Sequence, residues 1–202
     1  ENPADFNPAD FVEKAISWVK SLVKPGEKIA LSASGGVDST VAAFLLDRIV
    51  GKDLHAFFIE DGCRRLINDK PEGEVTREIF SKLNFTVLEV RDEILPPLVG
   101  LSDGEEKRKT FIRNYREVSD RHIDQVGASW IADGTIAPDI IETEGGFKSQ
   151  HNVGWNYSVG KIEPLASLAK PQVRKVGEYL DLPPSFTHRI PCPGPAQIVR
   201  TV

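Results

Sequence analysis

The chain has 202 residues, 40% of them hydrophobic and 27% charged, enough to bury one good-sized core, so a single domain over 1–202 is expected. Its net charge of −5 argues against a general nucleic-acid surface. No apolar run approaches the roughly 20 residues that cross a bilayer, and no leader peptide is visible, which predicts a cytoplasmic protein.

Phe11 to Val23 carries Phe11, Val12, Ala15, Ile16, Val19 and Leu22 at near-helical spacing, predicting an amphipathic helix over 11–24 with Asp10 as its cap and Pro25-Gly26 as its end. Lys28 to Ala33 reads as a short buried strand, followed by the turn Ser34-Gly35-Gly36-Val37-Asp38-Ser39-Thr40 and a helix to Val50. Leu54 to Ile59 is a second strand, Glu74 to Leu83 a helix, and Phe85 to Val90 a third strand. Pro96-Pro97 breaks the chain before a long charged helix, Glu105 to Val126, whose Glu105-Glu106-Lys107-Arg108-Lys109 start reads as a solvated face.

Ser129 to Ala132 is a fourth strand, ending at Asp133-Gly134. The glycine-rich stretch 144–160 is too long for a plain connection and reads as a functional loop. Lys161 to Leu165 is a fifth strand, Gln172 to Leu180 a helix, and 183–202 a proline-rich tail. Strands alternating with helices predict an α/β fold: a doubly wound parallel sheet of about five strands with helices on both faces. Ligands of such sheets bind beyond the carboxyl ends of the strands, where Ser34–Thr40, Glu60–Arg65 and Asp133–Glu142 all fall.

The glycine turn carries the clearest chemistry. A strand, two glycines and a helix start make a nest of unpaired backbone N–H groups that binds phosphate oxygens. Ser34, Ser39 and Thr40 add hydroxyls. Asp38 is anomalous beside an anion unless it helps to hold a metal bridging to that phosphate, which points to a nucleotide and Mg²⁺. Only two cysteines occur, Cys63 and Cys192, and both read as free thiols.

The turn departs from the Walker and dinucleotide fingerprints. It resembles the PP-loop of the N-type ATP pyrophosphatases, which cut ATP between its α- and β-phosphates. Asp133-Gly134-Thr135-Ile136-Ala137-Pro138-Asp139-Ile140-Ile141-Glu142-Thr143 resembles a signature of GMP synthase. So do Lys148-Ser149-Gln150-His151-Asn152-Val153-Gly154, Glu163-Pro164-Leu165 and Pro191-Cys192-Pro193-Gly194-Pro195, in family order.

The resemblance implies adenylation of XMP at the xanthine C2 oxygen, then displacement of AMP by ammonia to give GMP. With no glutamine amidotransferase domain in the chain, it implies the archaeal arrangement, with a separate amidotransferase subunit as partner; a homodimer is a further assembly open to it. Carried over by residue, Ser34, Gly35, Gly36, Val37, Asp38, Ser39 and Thr40 would bind ATP, Asp38 also assisting Mg²⁺. Lys148 would neutralise the leaving pyrophosphate, and 144–160 would close as a lid over the adenylated intermediate. Arg65, Asp139, Glu142 and His151 would lie on the substrate side.

Three departures stand out: Gln150 replaces a family histidine, Asp133 replaces a glutamine, and Gly154-Trp155-Asn156-Tyr157 replaces a Gly-Gly-Leu-Pro stretch. The family's C-terminal dimerisation domain is not within these 202 residues. Plainer readings exist: a capped turn for Ser34–Thr40, surface groups for Lys148, His151, Arg64, Arg65 and Glu142, and a helix-start cap for Asp139. A PP-loop sulfurtransferase acting on a tRNA base through a cysteine, or a silent nucleotide-binding subunit, are the competing functions.

Overall fold

The computed structural model describes residues 6–144 and 159–184, with 142–144 described by backbone only. The first helix, α1 (Pro8–Leu22), starts three residues ahead of expectation because Asn7, not Asp10, caps it. Asn7 Oδ1 accepts from Ala9 N at 3.0 Å, and Pro8 occupies the first helical position, where its missing N–H costs nothing.

Next come β1 (Ile29–Ser32), α2 (Val37–Val50) and β2 (Leu54–Glu60), then β3 (Leu66–Ile67), β4 (Lys70–Pro71) and α3 (Glu72–Ile79). After β5 (Phe85–Glu89), α4 (Arg91–Ile94) and α5 (Gly104–Val126) lead to β6 (Trp130–Ala132) and α6 (Ala137–Glu144). The last described elements are β7 (Gly160–Ile162) and α7 (Lys170–Tyr179). β7 stops short of the expected Leu165, since Glu163 turns out of the sheet before Pro164, which has no N–H for a ladder.

Four short elements are additions: β3, β4, α4 and α6. β3 and β4 form a hairpin whose turn residues Asn68 and Asp69 both have positive φ, 51° and 62°, the geometry that matches strand twist in a two-residue turn. α6 forms over the signature run, around the helix start that the plainer reading of Asp139 allowed.

The main sheet runs β5-β2-β1-β6-β7, and each of its neighbouring pairs is parallel. Ile29, Ala30 and Leu31 are each fully buried, which is why β1 is continuously apolar: a central parallel strand is covered on both faces. The period of two still sorts them. Ile29 and Leu31 pack with Val12, Val41, Leu45 and Val173 under α1, α2 and α7, whereas Ala30 packs with Phe57, Ile59, Phe111 and Val118 under α5.

From β1 the chain winds outward one way through β2 and β5, then returns to lay β6 on the other side of β1. This reversal puts a crevice at the carboxyl ends of β1 and β6, which run in register with Leu31 opposite Ala132. The turn after β1 and the Asp133 turn after β6 are therefore the two walls of one cleft. The α5 start is not simply solvated: Lys107 and Asn114 are buried, one and three helical turns in, on the face that carries Phe111.

Candidate functional site

The nest begins where β1 ends. Gly35 has φ +75°, a conformation open to glycine, and lets the chain turn back so that Gly36 caps α2 in extended geometry. No side chain of the cap residue closes α2, so the N–H groups of Val37 and Ser39 in its first turn lack both an intrahelical carbonyl and a capping oxygen.

The loop is braced from inside. Ser39 Oγ accepts from Ser34 N at 3.1 Å and donates to Gly36 O at 3.2 Å, while Ser34 Oγ accepts from Gly36 N at 3.3 Å. Thr40 is fully buried and donates its hydroxyl to Gly36 O at 2.9 Å. Ser39 and Thr40 thus sit behind the nest and hold its shape, and the backbone itself faces the cleft.

The second wall closes on the first through Gly134. A β-carbon there would lie 2.6 Å from Ser39 N and 2.7 Å from Ser39 Cα, so only glycine lets the strand-end loop reach the first turn of α2. This contact also brings Asp139 beside the nest. Asp139 Oδ2 accepts from Ile136 N at 3.0 Å, fixing the entry to α6, and its charge is felt by Asp38.

Asp38 is the electrostatic centre. Burial pushes its carboxyl above the usual aspartate range, Asp139 adds to that push, and Lys170 opposes both. Lys170 Nζ donates to Asp38 Oδ1 at 2.8 Å and to Oδ2 at 2.7 Å. Motif and spacing do not single out Lys170, though it leaves a signal. It is the first residue of α7, where the helix dipole disfavours a cation, so a lysine placed there needs another reason.

Beyond β6, Asp133 is buried and lies 3.3 Å from Lys161 Nζ, which also donates to Glu163 at 2.8 Å. Burial raises the Asp133 carboxyl. Burial also works against the charge of Lys161, but Glu163 and Asp133 together outweigh it and keep the ammonium charged. On the β2 side, neighbouring arginines take separate roles. Arg64 stacks 4.9 Å over Phe58, donates to Ile59 O at 3.1 Å and lies 3.3 Å from Asp61, so it is a packed structural group. Arg65 donates from Nε to the buried Glu72 at 3.0 Å, and Glu72 in turn abuts Gly35 of the nest.

Ser34, Gly35, Gly36, Val37, Asp38, Ser39, Thr40, Arg65 and Asp139 therefore share one end of the sheet. Glu142 lies one helical turn beyond Asp139 on α6. Lys148, Gln150, His151 and most of the expected lid, with the proline-rich tail from 185 and Cys192, lie outside the described residues. Cys63 is a half-buried free thiol that burial and the Asp61 carboxylate push up, away from thiolate.

Among the described residues no cluster of three or more His, Cys, Asp or Glu could form a metal cage, and no helix is long and apolar enough to cross a membrane. Asp38 and Asp139 are instead a pair of carboxylates within electrostatic reach at a phosphate nest. Carboxylates of this kind could hold Mg²⁺, which takes one or two of them and completes its shell with phosphate oxygens and water, once Lys170 yields an oxygen of Asp38.

No protein-family model matches the chain. Among solved structures, NMN synthetase from Francisella tularensis superposes with a TM-score of 0.72 at 20% identity, covering 98% of this chain and 79% of that one. NAD⁺ synthetase from Burkholderia pseudomallei gives a TM-score of 0.71 at 17% identity, covering 98% and 76%. At such identities the likeness is one of fold.

In sequence, the chain is 42% identical over 200 residues to a subunit of the glutamine-hydrolyzing GMP synthase of Methanothermobacter thermautotrophicus, 98% of this chain and 63% of that protein. It is 41% identical over 201 residues to the corresponding GMP synthase subunit of Methanosarcina acetivorans, 96% and 63%. The chain thus spans somewhat under two thirds of the length of the curated relatives it matches. Over nearly all of its own residues, the chain is thus similar to subunits of glutamine-hydrolyzing GMP synthases.

Proposed function

We propose that this chain is the ATP pyrophosphatase part of a GMP synthase, using ATP to adenylate XMP and ammonia to release GMP. The observation that carries the reading is the cleft between β1 and β6. There an uncapped helix start, a lysine-held Asp38 and Asp139 converge at the switch point of the sheet. Kinship at 42% and 41% identity to GMP synthase subunits supports the acceptor.

In this reading the xanthine C2 oxygen attacks the α-phosphorus, the bond to the β-phosphate oxygen breaks, and pyrophosphate leaves. Ammonia then adds at C2 and gives up a proton to solvent, the C2–O bond breaks, and AMP departs with both C2–O electrons. Charge develops on phosphate oxygens in the first step, so the work is positioning and electrostatic stabilisation. The first-turn N–H groups of α2 and Lys170 would supply it here, and Lys148 would add to it. Asp38 and Asp139 would hold Mg²⁺, which supplies neutralisation of the polyphosphate when bound. Arg65, Glu142 and His151 would serve the acceptor side. Ammonia would come from a separate glutamine amidotransferase subunit, in the cytoplasm.

The test is direct. XMP, ATP, Mg²⁺ and ammonia should yield GMP, AMP and pyrophosphate in equal amounts, read by chromatography. Release of ADP and phosphate instead would overturn the assignment at its root.

A further inference from the structure

The nest is bordered by two carboxylates, and each carries its own cation. Asp38 is held by Lys170 on one side, and on the other Glu72 is held by Arg65. Glu72 is only 2% exposed although it is the first residue of α3. Its place is fixed at both ends. Glu72 N donates to Arg65 O at 3.1 Å across the base of the β3–β4 hairpin, and Thr76 Oγ donates to Glu72 O at 2.8 Å. A β-carbon on Gly35 would meet Glu72 Oε1 at 3.0 Å and Cδ at 3.1 Å, so the carboxylate is packed directly against the nest glycine.

A buried negative charge beside an anion-binding turn is a contradiction unless it has a use. Burying a charge is tolerated when it is paired, and Arg65, itself mostly buried, supplies the pair. Coulomb repulsion between a carboxylate buried this far from water and an incoming phosphate is strong. Arg65, in direct contact at 3.0 Å, offsets it, and Arg64 lies within electrostatic reach of the same carboxylate.

We propose that Glu72 is an anion gate for the nest, set by Arg65: it disfavours bare phosphate groups and leaves the nest selective for polyphosphate that arrives with its charge already reduced by a divalent cation. The inference rests on the nucleotide reading of the nest but not on the identity of the acceptor. Glu72 is a positioning and selectivity residue in this account, and it touches no reacting atom.

The experiment is calorimetric titration of the full chain with inorganic pyrophosphate, once in EDTA and once with Mg²⁺, alongside a thermal melt of each variant. Glu72→Gln should bind metal-free pyrophosphate about tenfold more tightly and show a smaller gain on adding Mg²⁺. Arg65→Gln, which removes the cation in direct contact with Glu72, should weaken metal-free binding by about tenfold, and the double variant should fall between the two singles. If Glu72→Gln melts like the wild type yet binds metal-free pyrophosphate no better, the gate is refuted. If Glu72→Gln does not fold, Arg65→Gln decides, and unchanged metal-free affinity there refutes it too. Failure of every form to bind pyrophosphate, with or without Mg²⁺, would sink the nucleotide reading and the gate together. Indifference to Glu72 in a protein that does bind would sink the gate alone.

Discussion

Lys170 Nζ lies 2.7 and 2.8 Å from the two carboxylate oxygens of Asp38, joining the first turns of two helices whose residues are 132 positions apart. The contact is bidentate and mostly shielded, with 29% of the lysine and 24% of the aspartate side chain exposed. Two unlike needs meet in it. The lysine opposes the burial that pushes the Asp38 carboxyl up, and under the proposed function it would set a cation beside the leaving pyrophosphate.

Lys170→Gln should therefore cost turnover far more than fold. Loss of a preorganised cation at a site of developing phosphate charge predicts a fall of about 10²-fold or more in pyrophosphate release. The unpaired but still partly solvated Asp38 should lower stability by only about 1–2 kcal/mol. Lys170→Arg should recover part of the rate, since it restores charge but not the compact ammonium. Steady-state pyrophosphate release beside urea unfolding checks both halves; equal turnover in Lys170→Gln would remove the residue from the site.

Asp38→Asn separates activity from stability in a pH-dependent way. Burial holds the folded carboxyl above its ordinary value of 3.8, so the folded state binds that proton more tightly than the unfolded chain. That contribution to stability is present below the unfolded value and is lost as pH rises through the folded one. Relative to wild type, Asp38→Asn should then fare better at pH 7 than at pH 3.5, while its Mg²⁺-dependent turnover is crippled at neutral pH. Urea midpoints at the two pH values measure the first; a variant that loses more at pH 7 than at pH 3.5 would contradict the burial argument.

The Cys63 thiol is pushed up by burial and by Asp61, so it is protonated near neutrality and poorly suited to carry sulfur. Cys63→Ser should leave pyrophosphate release within about twofold of wild type. Abolished release would revive the sulfurtransferase alternative, and the same assay with tRNA in place of XMP would then identify it.

Much of this architecture is legible in the sequence because its causes are local. The buried run Ile29-Ala30-Leu31, the double glycine of 35 and 36, and the amphipathic spacing of Val12, Ala15 and Val19 each report on their own neighbourhood. Nothing local reports that β6 returns to the far side of β1, yet that pairing makes the crevice. Lys170 and Glu72 escape notice for the same reason, as each gains its meaning from a partner on another element. The β3–β4 hairpin escapes differently. Its turn is Asn68-Asp69, a pair that tolerates positive φ, but flanked by strands of only two residues it has no alternation to announce it.

Gly134 offers the sharpest test of how the two walls of the cleft are joined. Its β-carbon position lies 2.6 Å from Ser39 N and 2.9 Å from the Asp38 carbonyl carbon, contacts with backbone that no rotamer change can relieve. Gly134→Ala must separate the loop after β6 from the first turn of α2, and about 2–4 kcal/mol of stability should go with it. The same shift would carry Asp139 away from Asp38, because Asp139 is tied to Ile136 N just beyond the glycine. Nucleotide affinity in Mg²⁺ should consequently fall more than affinity in EDTA. Calorimetry under both conditions, beside urea denaturation, tests this; a Gly134→Ala protein with wild-type stability and an unchanged Mg²⁺ effect would show that the walls do not meet there.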